Sequence, residues 1–541
     1  MIRDNKKTGN NKKDCPNAQI HTYYLHTNNP KIYILPAVLR HHLGGAEITE
    51  IIKHRKSQGI SPHGISLEII FALVLILLLV GGFALRNFPF SDGNFSTDQP
   101  AVLTATDTVL HQTLAKWMHD TGQAKSQPDY WMANTQTVLL QPPMMYLIQA
   151  TFGSINTLPF YQLFFVVICI LMVLISLQVY VLLSRIFSRP VALLAAAIAL
   201  FPGINWLYSL PFGGFLDIAS YFFLPALWFL VLSNYKKQAA LPHILAGALL
   251  AAMFLTHVFE AVHVGIAIGL LYGYLLLSKA CTLKNAFKTF FLIFGVCLVL
   301  CASYLPILFV GYGQGAQRPS TITERLGTPV PPPSFYFPPV LEPYILVMSI
   351  LGIAFLVLLI ITKFRKFRLE QEKIGFLIMF FTLLGILKLW HLGIVLGKVH
   401  KSIYLFYFLF AFLPAYGIVS LLSLAKPFLR KIHPIMFPAT IIALSLAIAV
   451  HGWTITYPEL EHYGNHAQAY NPSWDTIIYI RDSIPREEVV YNFFAYEQEL
   501  QQYAEHVSFN SITANSNHMV PIVAAVQERA IPATVVGRFS L

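Results

Sequence analysis

The stretch Thr106-Asp107-Thr108-Val109-Leu110-His111 places a carboxylate and an imidazole four residues apart. On an α-helix that spacing puts both on one face. A carboxylate so placed can take a proton from an incoming nucleophile, with the histidine orienting or sharing it. Thr106 and Asp107 are equally good helix-capping residues, and a surface histidine needs no role, so spacing alone leaves both readings open. Val109, Leu110, Leu114, Trp117 and Met118 would give such a helix an apolar stripe suited to lying along a membrane surface.

A second carboxylate closes Leu210-Pro211-Phe212-Gly213-Gly214-Phe215-Leu216-Asp217. Asp217 borders an apolar run, where a charge is costly unless paired or solvated, so a structural pair and a site role both fit. His257, Glu260 and His263 follow at i, i+3 and i+6. One continuous helix would set the two histidines about 120° apart. That is not the His-Glu-x-x-His zinc spacing, so no residue is assigned as a metal ligand; the three are expected to line a cavity. A basic set, Arg318 and Arg325 in a Pro-rich stretch and Lys398, His400 and Lys401 later, could grip phosphate. Arginine does so as a fork and lysine as a point charge, with anionic lipid headgroups as the competing partner.

These groups hang on a ladder of apolar segments. The 541 residues are 55% hydrophobic and 12% charged, whereas soluble chains carry roughly 25% charged residues. Several runs reach the ~20 apolar residues that a bilayer span requires. We read about eleven spans, near 67–85, 161–183, 190–207, 215–232, a pair from 241–278 split at Thr256–His263, then 286–309, 344–361, 374–390, 402–424 and 435–453. The first run starts too late and is too long for a cleavable leader, so it is expected to stay as an anchor.

The net charge of +11 collects between spans: Arg185 and Arg189, Lys236 and Lys237, Lys279, Lys284 and Lys288, the run from Lys363 to Arg368, and Lys426, Arg430 and Lys431. That alternation argues for membrane orientation rather than nucleic-acid binding, with the amino terminus cytoplasmic and the carboxyl terminus extracytoplasmic. The expected division is a basic, largely disordered cytoplasmic tail (1–63), a transmembrane domain (64–453) with an extracytoplasmic loop (86–160), and an extracytoplasmic domain (454–541). A short helix near 46–57, a helix-like 472–483 and a strand-like 488–493 are further expectations. The fold class expected is an all-α polytopic membrane protein with a small carboxyl-terminal α/β or α+β appendage. The five cysteines fall in spans or on the cytoplasmic side, so no disulfide framework is implied.

The order of span, outward loop opening on an acid, amphipathic helix and Gln141-Pro142-Pro143-Met144-Met145-Tyr146-Leu147 resembles the GT-C superfamily of membrane glycosyltransferases. Asp107–Gly122 with the Pro-Pro segment looks like the protein O-mannosyltransferase and lipid A aminoarabinose transferase branch. The departures are Thr108, where the family often has a second acid, and Gln141, where it has a basic residue. The resemblance implies a polyprenyl-phosphate-linked sugar donor, membrane lipid as surroundings, and a glycan, lipid or protein acceptor. It implies Asp107 as catalytic base, with His111 and Asp217 beside it. It implies donor or phosphate contacts from His257, Glu260, Arg318, Arg325, His400 and Lys401. A divalent metal is compatible but no cofactor is certain, and no nucleotide-binding loop is present. The rival expectations are a polysaccharide polymerase or ligase of another fold, a lipid-linked-sugar transporter or flippase, and a degenerate member that only binds glycan.

Overall fold

The computed structural model describes residues 62–91, 106–123, 142–156, 158, 160–201, 214–236, 239–309, 343–364, 371–389, 408–469, 489–492, 508–510 and 533–536. The helices are α1 (Pro62–Ser91), α2 (Thr106–Thr121), α3 (Met144–Ile155), α4 (Phe160–Ile186), α5 (Arg189–Leu200), α6 (Phe215–Asn234) and α7 (Ala240–Phe254). They continue with α8 (Val258–Leu277), α9 (Leu283–Cys301), α10 (Pro343–Phe364), α11 (Gln371–Leu389), α12 (Phe412–Ile432) and α13 (Met436–Ala469). Three strands follow: β1 (Val489–Asn492), β2 (Ser508–Asn510) and β3 (Ala533–Val536). They pair in the order β2-β1-β3, both pairs parallel. Parallel neighbours need crossover connections rather than hairpins, which suits an α/β appendage.

A helix lies on every predicted span, but the lengths differ. Among the described residues, eight helices are long and apolar enough to cross a bilayer: Leu67–Asn87, Gln162–Ile186, Phe215–Asn234, Val258–Leu277, Leu283–Cys301, Tyr344–Thr362, Phe408–Leu429 and Met436–Pro458. α5 has 12 residues and α7 has 15, short of the ~20 that hydrocarbon demands. α5 is apolar because protein surrounds it: every residue from Val191 to Leu200 is buried. α11 has 19 residues but carries Glu372, Lys373 and Lys388. Inside the expected loop 86–160, α1 runs on to Ser91 and α3 forms a helix that buries Met145, Tyr146 and Gln149.

The spans are joined by aromatic packing and close helix crossings. Phe412 lies 4.5 Å from Phe187, 5.1 Å from Phe376 and 5.8 Å from Phe380, ring to ring, and Trp228 lies 5.6 Å from Phe376. Such pairs each add about 0.5–1.5 kcal/mol beyond the area they bury. α10 and α12 touch backbone to backbone: a Cβ on Gly352 would sit 2.1 Å from the Leu413 carbonyl oxygen, and one on Gly417 would sit 2.2 Å from that of Met348. Small residues at a crossing of this kind replace the hydrophobic drive that lipid removes.

The bundle has two chemically different ends. At one, Arg185 meets Glu372 at 3.4 Å, Arg189 meets Glu68 at 2.8 Å, and Tyr235 donates to Gln371 at 3.0 Å. At the other lie the amino termini of α6 and α8 and the pair α2 and α3. α6 links the two ends, and its 20 residues span about 30 Å at 1.5 Å per residue. Arg86, fully buried in α1, donates to the carbonyls of Gly82 and Leu200, and Thr456 of α13 donates to that of Phe201 at 3.0 Å. Two helices thereby satisfy the free carbonyls at the buried carboxyl end of α5.

Candidate functional site

α6 begins after Gly214 and α8 after His257, and each carries an acid in its first turn, Asp217 and Glu260. An anion is favoured there because the first backbone N–H groups and the helix dipole present positive charge. The two amino termini converge. His257 Nε2 lies 3.5 Å from Asp217 Oδ1, and its Nδ1 lies 3.6 Å from Glu260 Oε2. Both carboxylates are 3% exposed. One candidate donor atom from each of the three residues lies within 4.8 Å of the other two.

The turn between α7 and α8 sets this geometry. Thr256 donates its hydroxyl to the Ala252 carbonyl at 2.6 Å, and the His257 N–H bonds Met253 at 2.7 Å. His257 is therefore extended, at φ −152° and ψ 106°, and stands ahead of the helix as its cap. That explains how it shares a side with Glu260, which one unbroken helix would not allow for the whole trio. His263, a turn further in, is buried and lines a small pocket with Tyr221, Leu224, Met253, Glu260 and Leu383. Pro225 lacks the N–H that would bond Tyr221, so α6 is loosened beside this cavity.

α2 and α3 roof the same end. His111 is 4% exposed, and its Nδ1 lies 2.8 Å from the Tyr146 hydroxyl of α3. Its ring sits 6.2 Å from that of Phe215, two residues before Asp217. The Met144 N–H donates to Leu255 at 2.9 Å, joining α3 to the turn that carries His257. The apolar stripe of α2 goes into protein rather than standing free for lipid: Leu114, Trp117 and Met118 are buried. His111 is likewise no surface histidine. Asp107 is the second residue of α2, one turn ahead of His111.

The structure thus brings Asp217, His257 and Glu260 into one cluster, with His111 on the neighbouring roof. The sequence pattern missed the link between Asp217 and the later pair, which lie some forty residues away on another helix, and it missed Tyr146 as the partner of His111. Tyr221, i+4 from Asp217, was the local clue to the cavity. Arg318, Arg325, Lys398, His400 and Lys401 lie outside the described residues, as do 46–57, 312–342 and 472–483.

The cluster suits a divalent cation. A single ring nitrogen of His257 and one oxygen from each carboxylate lie within 4.8 Å of one another, close enough to share one ion. Asp217 Oδ1 is buried with no hydrogen bond, as a cation-ligating oxygen would be. Two buried carboxylates this close need a positive partner.

No protein-family model matches the sequence, and no curated protein matches it. Solved structures do. The oligosaccharyltransferase AglB of Archaeoglobus fulgidus, in complex with an inhibitory peptide and a dolichol-phosphate, superposes with TM-score 0.57 at 13% identity, over 83% of this chain and 65% of that one. The same enzyme in complex with Zn and sulfate gives TM-score 0.54 at 15% identity, over 81% of this chain and 62% of that one. ArnT of Cupriavidus metallidurans, bound to undecaprenyl phosphate, gives TM-score 0.53 at 11% identity, over 87% of this chain and 90% of that one. This is the GT-C fold. The chain spans about two thirds of AglB and nine tenths of ArnT.

Proposed function

We propose that the chain is an integral membrane glycosyltransferase that moves a sugar from a polyprenyl-phosphate-linked donor to a glycan, lipid or protein acceptor on the extracytoplasmic face. The observation that carries the reading is the buried Asp217–His257–Glu260 cluster, held at two helix amino termini of a GT-C fold. The polyprenyl phosphates bound by AglB and ArnT support a donor of that class. The basic residues opposite the cluster, among them Arg185, Lys236, Lys284 and Lys288, support a cytoplasmic assignment for that end. The division into a tail (1–63), a transmembrane domain (64–453) and an extracytoplasmic domain (454–541) belongs to the same proposal.

In this mechanism Asp107 takes the proton of the acceptor hydroxyl or amide as its oxygen or nitrogen attacks the anomeric carbon. The bond from that carbon to the lipid phosphate breaks, and the phosphate leaves with the electron pair. His111, anchored on Tyr146, fixes the turn that carries Asp107. Asp217, His257 and Glu260 would hold a divalent cation, which when bound offsets charge growing on a leaving phosphate. Arg318, Arg325, His400 and Lys401 are proposed to grip the donor phosphate.

The test is transfer from radiolabelled polyprenyl-phosphate sugars in membranes. Loss of a general base costs about 10²–10⁴-fold, so Asp107→Asn should reduce transfer by that range at normal expression. Unchanged transfer rejects the base assignment. Glycosylation-site tags beyond Trp453 should be modified only if that end is extracytoplasmic.

A further inference from the structure

The basic end of the bundle holds a second built cavity, far from the acidic cluster. It is a partly open pocket where the carboxyl end of α6 meets α7 and α9, and Tyr235, Lys236, His243, Asn285, Lys288 and Thr289 line it. We propose that this pocket binds a phosphate group, carried by an anionic lipid headgroup or free in solution.

The lining offers donors and positive charge and no carboxylate. Lys236 and Lys288 supply two ammonium groups, which suit phosphate as point charges. Asn285 and Thr289 add neutral hydrogen-bonding groups from the first two turns of α9. Glu372, the acid whose field reaches Tyr235, is already engaged by Arg185 at 3.4 Å.

His243 is the feature that marks a ligand. It is 2% exposed, and its Nδ1–H donates to the Ala239 carbonyl at 2.8 Å, which fixes the ring. Its Nε2 is buried and takes no hydrogen bond. A buried ring nitrogen left this way is rare unless something outside the protein serves it. Nε2 can accept from the P–OH of a monoanionic phosphate or, once protonated, donate to an ionised oxygen. A cation is repelled by the two lysines.

Leu241, Leu283 and Phe287, on α7 and α9 at this same end, are 65%, 64% and 69% exposed. Apolar side chains beside a cationic pocket at the end of a span fit acyl chains next to a headgroup. This favours the lipid-borne source. The pocket lies a helix length from Asp217, so it stands whether or not the transferase reading does.

The test uses the purified full chain. One arm places it in phosphatidylcholine nanodiscs with increasing phosphatidic acid and reads bound lipid by native mass spectrometry. The other reads radiolabelled inorganic phosphate by equilibrium dialysis. The probe variant is Lys236→Gln/Lys288→Gln, because both side chains are exposed and their loss leaves the core intact. At ~1 kcal/mol per basic residue, its affinity should fall about 30-fold, and His243→Phe should weaken binding as well. Saturable phosphatidic acid binding with no phosphate binding supports the lipid source, and saturable phosphate binding supports the free anion, provided the double variant reduces either. Absence of saturable binding in both arms, or equal affinity in the double variant, overturns the proposal.

Discussion

Neutralising Asp217 and Glu260 one at a time and together tests whether they share one field and one ion. Their candidate donor oxygens lie within 4.8 Å, which at an effective dielectric of 20 corresponds to a repulsion of roughly 3.5 kcal/mol. In chelator, Asp217→Asn and Glu260→Gln each relieve the same repulsion, so the second substitution brings about 3.5 kcal/mol less than the first. The charge on His257 changes each single value but largely cancels from the coupling. With saturating Mn²⁺ or Zn²⁺ the pattern changes. The first substitution removes the stabilisation that the ion supplies, and the second then costs little. The assay is thermal unfolding in detergent of wild type, both single variants and the double, with and without metal. Additive effects under both conditions would refute the shared site.

Three other outcomes follow from the packing. Gly352→Ala or Gly417→Ala drives a methyl group into a backbone carbonyl; each should destabilise by at least ~1–3 kcal/mol, read as a lower unfolding temperature. Tyr146→Phe removes the partner of His111, which should cost about 1 kcal/mol and lower transfer more than stability if α2 positions the base. Arg86→Met leaves the Leu200 carbonyl without its donor, at a cost of ~1–3 kcal/mol, and Arg86→Lys should rescue only part because one ammonium cannot reproduce the guanidinium fork.

The sequence made the ladder of spans readable because hydropathy and basic loops record the membrane directly. It located α2, the break at Thr256–His263 and strand β1 for equally local reasons: capping, polar interruption and a β-branched run. α5 and α7 come out shorter than the runs of apolar sequence that carry them, and an apolar run by itself does not say whether lipid or protein will cover it. The sequence pattern missed α3, whose start after Pro142-Pro143 read as a loop closure. The meeting of Asp217 with His257 and Glu260 was out of reach for a different reason. It depends on two helix amino termini arriving at the same place, and no periodicity along the chain encodes that distance.

The join between Met144 and Leu255 is made of main chain alone. Substituting either side chain leaves its donor and acceptor in place, and only proline at 144 would delete the hydrogen. The tether between the roof and the histidine-bearing turn can therefore persist while the surrounding residues drift. An acceptor that tugs on α3 would be felt at the Asp217–His257–Glu260 cluster through a strut that evolution can scarcely retune.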